Sequence, residues 1–138
     1  MENVAIVVST AGMQGLGIAL NGGSLEVRSS EIAATDTGGP VGGIGAGGGA
    51  AVGGITVRGT VIRVTGSDLG SGLSLVNTTA FVRYSEVYAT GGTVKSFDEG
   101  GTGTITVAHS AYTGATSGTV TCLATLSGTA FIANAACP

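Results

Sequence analysis

The stretch Ile55-Thr56-Val57-Arg58-Gly59-Thr60-Val61-Ile62 decides the fold, because it recurs. Its counterparts are Leu25-Glu26-Val27-Arg28-Ser29-Ser30-Glu31-Ile32, Ala80-Phe81-Val82-Arg83-Tyr84-Ser85-Glu86-Val87, Ile105-Thr106-Val107-Ala108-His109-Ser110-Ala111-Tyr112 and Ala130-Phe131-Ile132-Ala133-Asn134-Ala135-Ala136. The units start at Leu25, Ile55, Ala80, Ile105 and Ala130, so one longer interval is followed by three equal ones. The opening Val4-Ala5-Ile6-Val7-Val8-Ser9 is a weaker member. A fixed period of this length implies units that stack.

Within a unit, positions one and three are apolar and position two is mostly polar or aromatic, the alternation of a strand with one buried face. Position six is Ser30, Thr60, Ser85 and Ser110, and position eight is Ile32, Ile62, Val87 and Tyr112. Positions one, three and eight cannot share one face of a straight strand. A bend between positions three and six returns all of them to the interior, so each unit reads as strand, bend, strand. Dense Val, Ile and Thr with frequent Gly speak against helices.

The Leu-x-Val-x-x-Ser/Thr-x-Ile pattern resembles the right-handed parallel β-helix of pectin-lyase-like solenoids, a fold of bacterial surface and adhesin repeats and of polysaccharide enzymes. The resemblance implies an all-β, single-stranded β-helix over most of 17–136, with about five coils of about 25 residues each. In that family the bend often carries a stacked Asn. Here the matching positions are Ser29, Gly59, Tyr84, His109 and Asn134, so only the last keeps it. The rival fold is a jelly roll or other β-sandwich, which antiparallel pairing would reveal.

The 138 residues are read as a single solenoid domain with a Gly-rich loop or bulge around 38–54, where ten of seventeen residues are Gly and the surplus of the first interval falls. That loop lacks the Gly-Lys-Ser/Thr ending of a phosphate loop. Five Lys and Arg against eight Asp and Glu give a net charge of −3, which argues against a nucleic-acid surface. No apolar run reaches the length of a membrane helix, and no signal peptide is read at the start of this chain. An extracellular or cell-surface setting is the expectation. Cys122 and Cys137 permit a disulfide or two buried thiols. No capping helix is readable at either end, which leaves strand edges open to association.

Catalytic chemistry finds little support. The adjacent acids Asp98 and Glu99 point to opposite faces of a strand, and Glu31 and Glu86 stand two coils apart, about 10 Å. His109 has no readable catalytic partner, and no metal-ligand spacing or cofactor motif is present. The informative surface is Arg28, Arg58 and Arg83, which share position four and would stack in a column. Phe81, Tyr84, His109 and Phe131 lie near the same strip, where aromatic rings suit sugars or a subunit contact. Thr-x-Thr pairs such as Thr104/Thr106 and Thr119/Thr121 do not recur at the period of the repeat, so no regular threonine array is expected.

The resulting expectation is a non-enzymatic structural or binding module of a surface, appendage or phage-like assembly. It self-associates, binds a protein partner through its ends, or binds an acidic glycan at Arg28, Arg58, Arg83, Tyr84, His109, Phe81 and Phe131. The alternatives are a carbohydrate-active enzyme, a polysaccharide lyase or hydrolase or a fragment of one, and an ice-binding solenoid. No cofactor, metal, nucleic acid or membrane insertion is expected.

Overall fold

The computed structural model describes residues 1–12, 14–47, 52–67 and 69–138. Its strands form three stacked faces. The first holds β1 (Ala5–Thr10), β4 (Glu31–Asp36), β7 (Val61–Gly66), β10 (Glu86–Thr90) and β13 (Ala111–Thr113). The second holds β2 (Gly15–Leu20), β5 (Val41–Ala46), β8 (Leu69–Val76), β11 (Thr93–Gly100) and β14 (Ala115–Ser117). The third holds β3 (Gly23–Arg28), β6 (Val52–Arg58), β9 (Thr79–Arg83), β12 (Thr104–Ala108) and β15 (Val120–Ser127), and β16 (Ala130–Ala136) follows. Pairing along each face is parallel and joins strands one turn apart. This is an all-β parallel β-helix, and the parallel register excludes the sandwich.

Register carries the repeat directly. Leu25 pairs with Ile55, Ile55 with Ala80, and Ala80 with Ile105. The core lies inside the coil, where Val27, Val57, Val82 and Val107 line up beneath Ile32, Ile62, Val87 and Tyr112, all essentially inaccessible. Each such side chain contributes about 1.5–3 kcal/mol through burial. Phe97 meets Tyr112 edge to face at 5.4 Å.

The bend is sharp and repeated. Position five holds left-handed backbone at Asn3, Ser29, Gly59, Tyr84, His109 and Ala124, with φ between 46° and 56°. Backbone pairing continues through it, as Gly59 N–H donates to Arg83 O at 3.1 Å and His109 N–H to Leu123 O at 2.9 Å. At position six a buried hydroxyl replaces the Asn ladder. Ser30, Thr60, Ser85, Ser110 and Thr125 each donate to the carbonyl two residues back, at 2.6–3.1 Å. Three of these oxygens also accept a backbone N–H from the preceding turn, at 3.2 Å each, from Val4 to Ser30, Thr60 to Ser85 and Ser85 to Ser110. Removing one such hydroxyl strands a buried N–H, at about 1–3 kcal/mol.

On the second face the chain narrows at Gly17, Gly43 and Gly72. A Cβ on Gly17 would stand 2.7 Å from Gly43 O, and one on Gly72 would stand 2.7 Å from Ser96 O. Only glycine fits a column this close to the next turn.

Three expectations are corrected. The unit at 130–136 is not a fifth rung, because β16 runs antiparallel to β15, with Leu126 opposite Phe131. The rung above β12 is β15, where Ile105 pairs with Val120, so the last coil is much shorter than the others. The bend position there is therefore Ala124 and not Asn134. Second, the C-terminal end is covered. Cys122 and Cys137 are disulfide-bonded, Cys137 N–H donates to Val120 O at 3.0 Å, and Thr116 Oγ1 donates to Cys137 O at 2.9 Å. Third, much of the Gly-rich stretch is strand, since β5 occupies 41–46. Ala46 pairs with Leu75 and Ile55 with Ala80. The chain is four residues longer from Ala46 to Ile55 than from Leu75 to Ala80, which places four of the five surplus residues of the first interval between Ala46 and Ile55. Positions 48–51 of that stretch lie outside the described residues. The Thr-x-Thr pairs do not recur at the period of the repeat, as expected, although single threonines align. Thr35 pairs with Thr65, Thr65 with Thr90, Thr79 with Thr104, and Thr106 with Thr121. The shortened last rung brings Thr119-x-Thr121 over Thr104-x-Thr106.

Candidate functional site

The bend where the third face passes into the first is the most featured surface. Because position five is left-handed, its side chain leaves the coil and points outward. Stacking turns sets these side chains one above the next, at about 4.8 Å per rung. Tyr84 and His109 therefore lie ring on ring, with centroids 5.5 Å apart and planes 11° apart. Gly59, one rung earlier, has no side chain, and the Arg58 guanidinium covers the free face of Tyr84 at 5.7 Å. The rung after His109 carries Ala124, so no ring follows. Tyr84 is 58% exposed and Phe131 66% exposed. Tyr84, Glu86, His109, Ala124, Leu126 and Phe131 frame a shallow groove of about 530 Å³ along this bend.

Left-handed backbone costs a non-glycine residue about 1–2 kcal/mol, and Asn or Gly avoids most of it. Tyr84 and His109 hold it nonetheless. The same conformation recurs at every bend, Ser29 and Ala124 included, so the coil imposes it.

The arginines stack as their repeat position requires, with Arg28 paired to Arg58 and Arg58 to Arg83. Their partners differ. Arg28 is tied to Glu26, with Nη2 2.6 Å from Oε1. Arg58 lies on Tyr84, and Arg83 lies on Phe81 at 5.4 Å. Among the described residues neither Arg58 nor Arg83 has a carboxylate partner. Two cations are thus held on aromatic rings, Arg58 at the end of the ring stack and Arg83 on the third face. Seven residues were singled out from the sequence. Tyr84, His109 and Phe131 come together in the groove, Arg58 covers its stack, and Arg83 with Phe81 flanks it on the third face. Arg28 lies at the far end, in a separate shallow depression with Ser29, Arg58, Gly59 and Tyr84.

Sequence reasoning missed Ala124, Leu126 and Glu86. The signal was present, because Val120-x-Cys122-x-x-Thr125 repeats the unit's apolar and hydroxyl positions. It also missed a second groove of about 300 Å³ on the outer side of the second face, among Gly42, Gly45, Ser71, Ser74, Lys95 and Asp98. There the Lys95 ammonium and Asp98 carboxylate are paired at 3.0 Å.

Four further acids, Glu31, Glu86, Asp36 and Glu99, are engaged. Glu31 binds Arg63, and Glu86 accepts from the Tyr88 hydroxyl at 2.8 Å, which raises the Tyr88 pKa above its ordinary value. Buried Asp36 accepts from the Thr10 hydroxyl at 2.7 Å and from Gly12, Gly38 and Gly39 N–H groups. The Thr10 bond, with help from those amides, holds its pKa below the ordinary 3.8 against the opposing effect of burial. Glu99 is buried near the end of β11, and one of its carboxylate oxygens accepts Gly103 N–H at 2.9 Å from the turn that follows. Among the described residues no three His, Cys, Asp or Glu side chains gather as a metal site.

Comparison with protein-family models, with curated proteins and with solved structures found no match.

Proposed function

We propose that this chain is a non-enzymatic binding module, a right-handed, pectin-lyase-like solenoid of the bacterial surface or appendage type that holds an acidic glycan along its bend. The right hand is the one that parallel crossovers adopt almost without exception. The observation that carries the reading is the Arg58–Tyr84–His109 stack, exposed and beside Arg83. Aromatic faces suit the C–H faces of sugars, and guanidinium forks suit carboxylate or sulfate. The test is titration of polygalacturonate and of a sulfated glycan at low and at physiological salt. Binding that weakens with salt and falls at least tenfold in Arg58→Ala supports the reading. Absence of binding to any anionic glycan overturns it.

A second reading is self-association at the first turn. Ile6, Val8, Ile18 and Leu20 pack on the core yet are only partly buried, and Val7 is 77% exposed. Light scattering over a dilution series tests it. A 13.2 kDa particle at every concentration removes that reading and leaves the glycan reading standing.

A further inference from the structure

The column of bend side chains stops one rung short. Arg58, Tyr84 and His109 cover one another in order, and the next position is Ala124, in the same left-handed conformation. His109 N–H pairs with Leu123 O, so Ala124 stands one rung beyond the imidazole. The methyl group leaves the far face of His109 uncovered by a ring. Phe131 and Leu126, brought in by the antiparallel β16, wall the space, and Glu86 lies along the same groove.

We propose that this notch at Ala124 seats one uncharged pyranose ring, stacked on His109 as the next member of the column, while acidic sugars of the same chain lie toward Arg83 and Arg58. The inference rests on the glycan reading above and names its ligand class. The notch is mostly apolar and one rung thick, which fits the C–H face of a single sugar. Among the described residues no Lys or Arg lines the groove, so a carboxylated ring in the notch would lose hydration without gaining an ionic partner. Arg83 stands two rungs back, about 10 Å, which is the reach of the neighbouring sugars. The ligand is thus a polysaccharide that combines neutral and acidic pyranoses.

The probes are two octasaccharides, one alternating N-acetylhexosamine with hexuronic acid and one of hexuronic acid alone. The wild-type protein is expected to bind the alternating chain at least tenfold more tightly. Ala124→Tyr continues the stack with a residue that position five already accepts at Tyr84, and is expected to abolish that preference. His109→Asn keeps a side chain suited to left-handed backbone, removes the ring, and is expected to do the same. Saturation transfer from the Phe131 ring to sugar protons reads the notch without any variant. Equal binding of the two octasaccharides, or an undiminished preference in both variants, overturns the notch. Loss of binding in Arg58→Ala under that outcome leaves the glycan reading intact. No binding of either chain removes both.

Discussion

Gly43 lies so close under Ile62 that a Cβ on Gly43 would stand 2.6 Å from the Ile62 Cγ2 methyl and 2.6 Å from Gly72 O. A side-chain methyl and a backbone carbonyl crowd the same point, so neither neighbour can yield alone. Gly43→Ala is expected to cost about 1–3 kcal/mol through overpacking. Urea unfolding measures it. A variant as stable as the parent would show that the second face relaxes more easily than its close packing implies.

Tyr84 and His109 invert the usual result of truncating an aromatic. In Tyr84→Asn the lost ring contact, worth about 0.5–1.5 kcal/mol, is offset by relief of left-handed backbone, worth about 1–2 kcal/mol. The thermal midpoint is expected to hold or rise while glycan affinity falls at least tenfold. A large drop in stability would mean that the stack serves the fold.

Cys122 and Cys137 are joined across a sequence separation of 15, and for a loop of that size chain entropy gives about 3 kcal/mol. Cys137→Ser is expected to lose that much by denaturant titration. The loss should localise as faster amide exchange in 128–138, because β16 is exposed along most of its length. Uniform loss of protection through β12 and β9 would show that the end cover holds the whole stack.

Asp36 links stability to acid. Its pKa is lowered in the folded chain, so its contribution is fully present above the unfolded value of 3.8 and is lost as pH falls through the folded value. Wild type is expected to exceed Asp36→Asn in melting temperature near neutrality, and the gap to close below about pH 4. A gap independent of pH would assign the effect to shape and not to charge.

The architecture was legible where the repeat was regular. Apolar positions one, three and eight and a hydroxyl at six predicted the bend, and Ile55, Val57, Thr60 and Ile62 occupy those places as expected. The last rung escaped because its interval shrinks, setting Val120 on Ile105, while Ala130-Phe131-Ile132 imitates the alternation of a true unit. A two-residue period marks a half-buried strand of either direction. It cannot tell a parallel rung from a returning antiparallel strand, and left-handed Gly128 after Ser127 is what turns this chain back. The groove was half legible for the same reason. Tyr84 and His109 sit on regular rungs, whereas Phe131 reaches them only through β16. The second-face groove carried no sequence signal, since Gly42, Gly45, Ser71 and Ser74 match only after β5 and β8 pair.

The parallel register sets the order in which structure can form. Each parallel partner lies most of a coil circuit away along the chain, so the entropy of closing a loop is lost before any ladder repays it. The β15–β16 hairpin is different, because its strands are adjacent in sequence and such pairs close in about 1–10 μs. It also carries the covalent staple and the edge on which β12 lies. The C-terminal hairpin is thus the natural seed, and the solenoid is expected to zip from there toward its first turn.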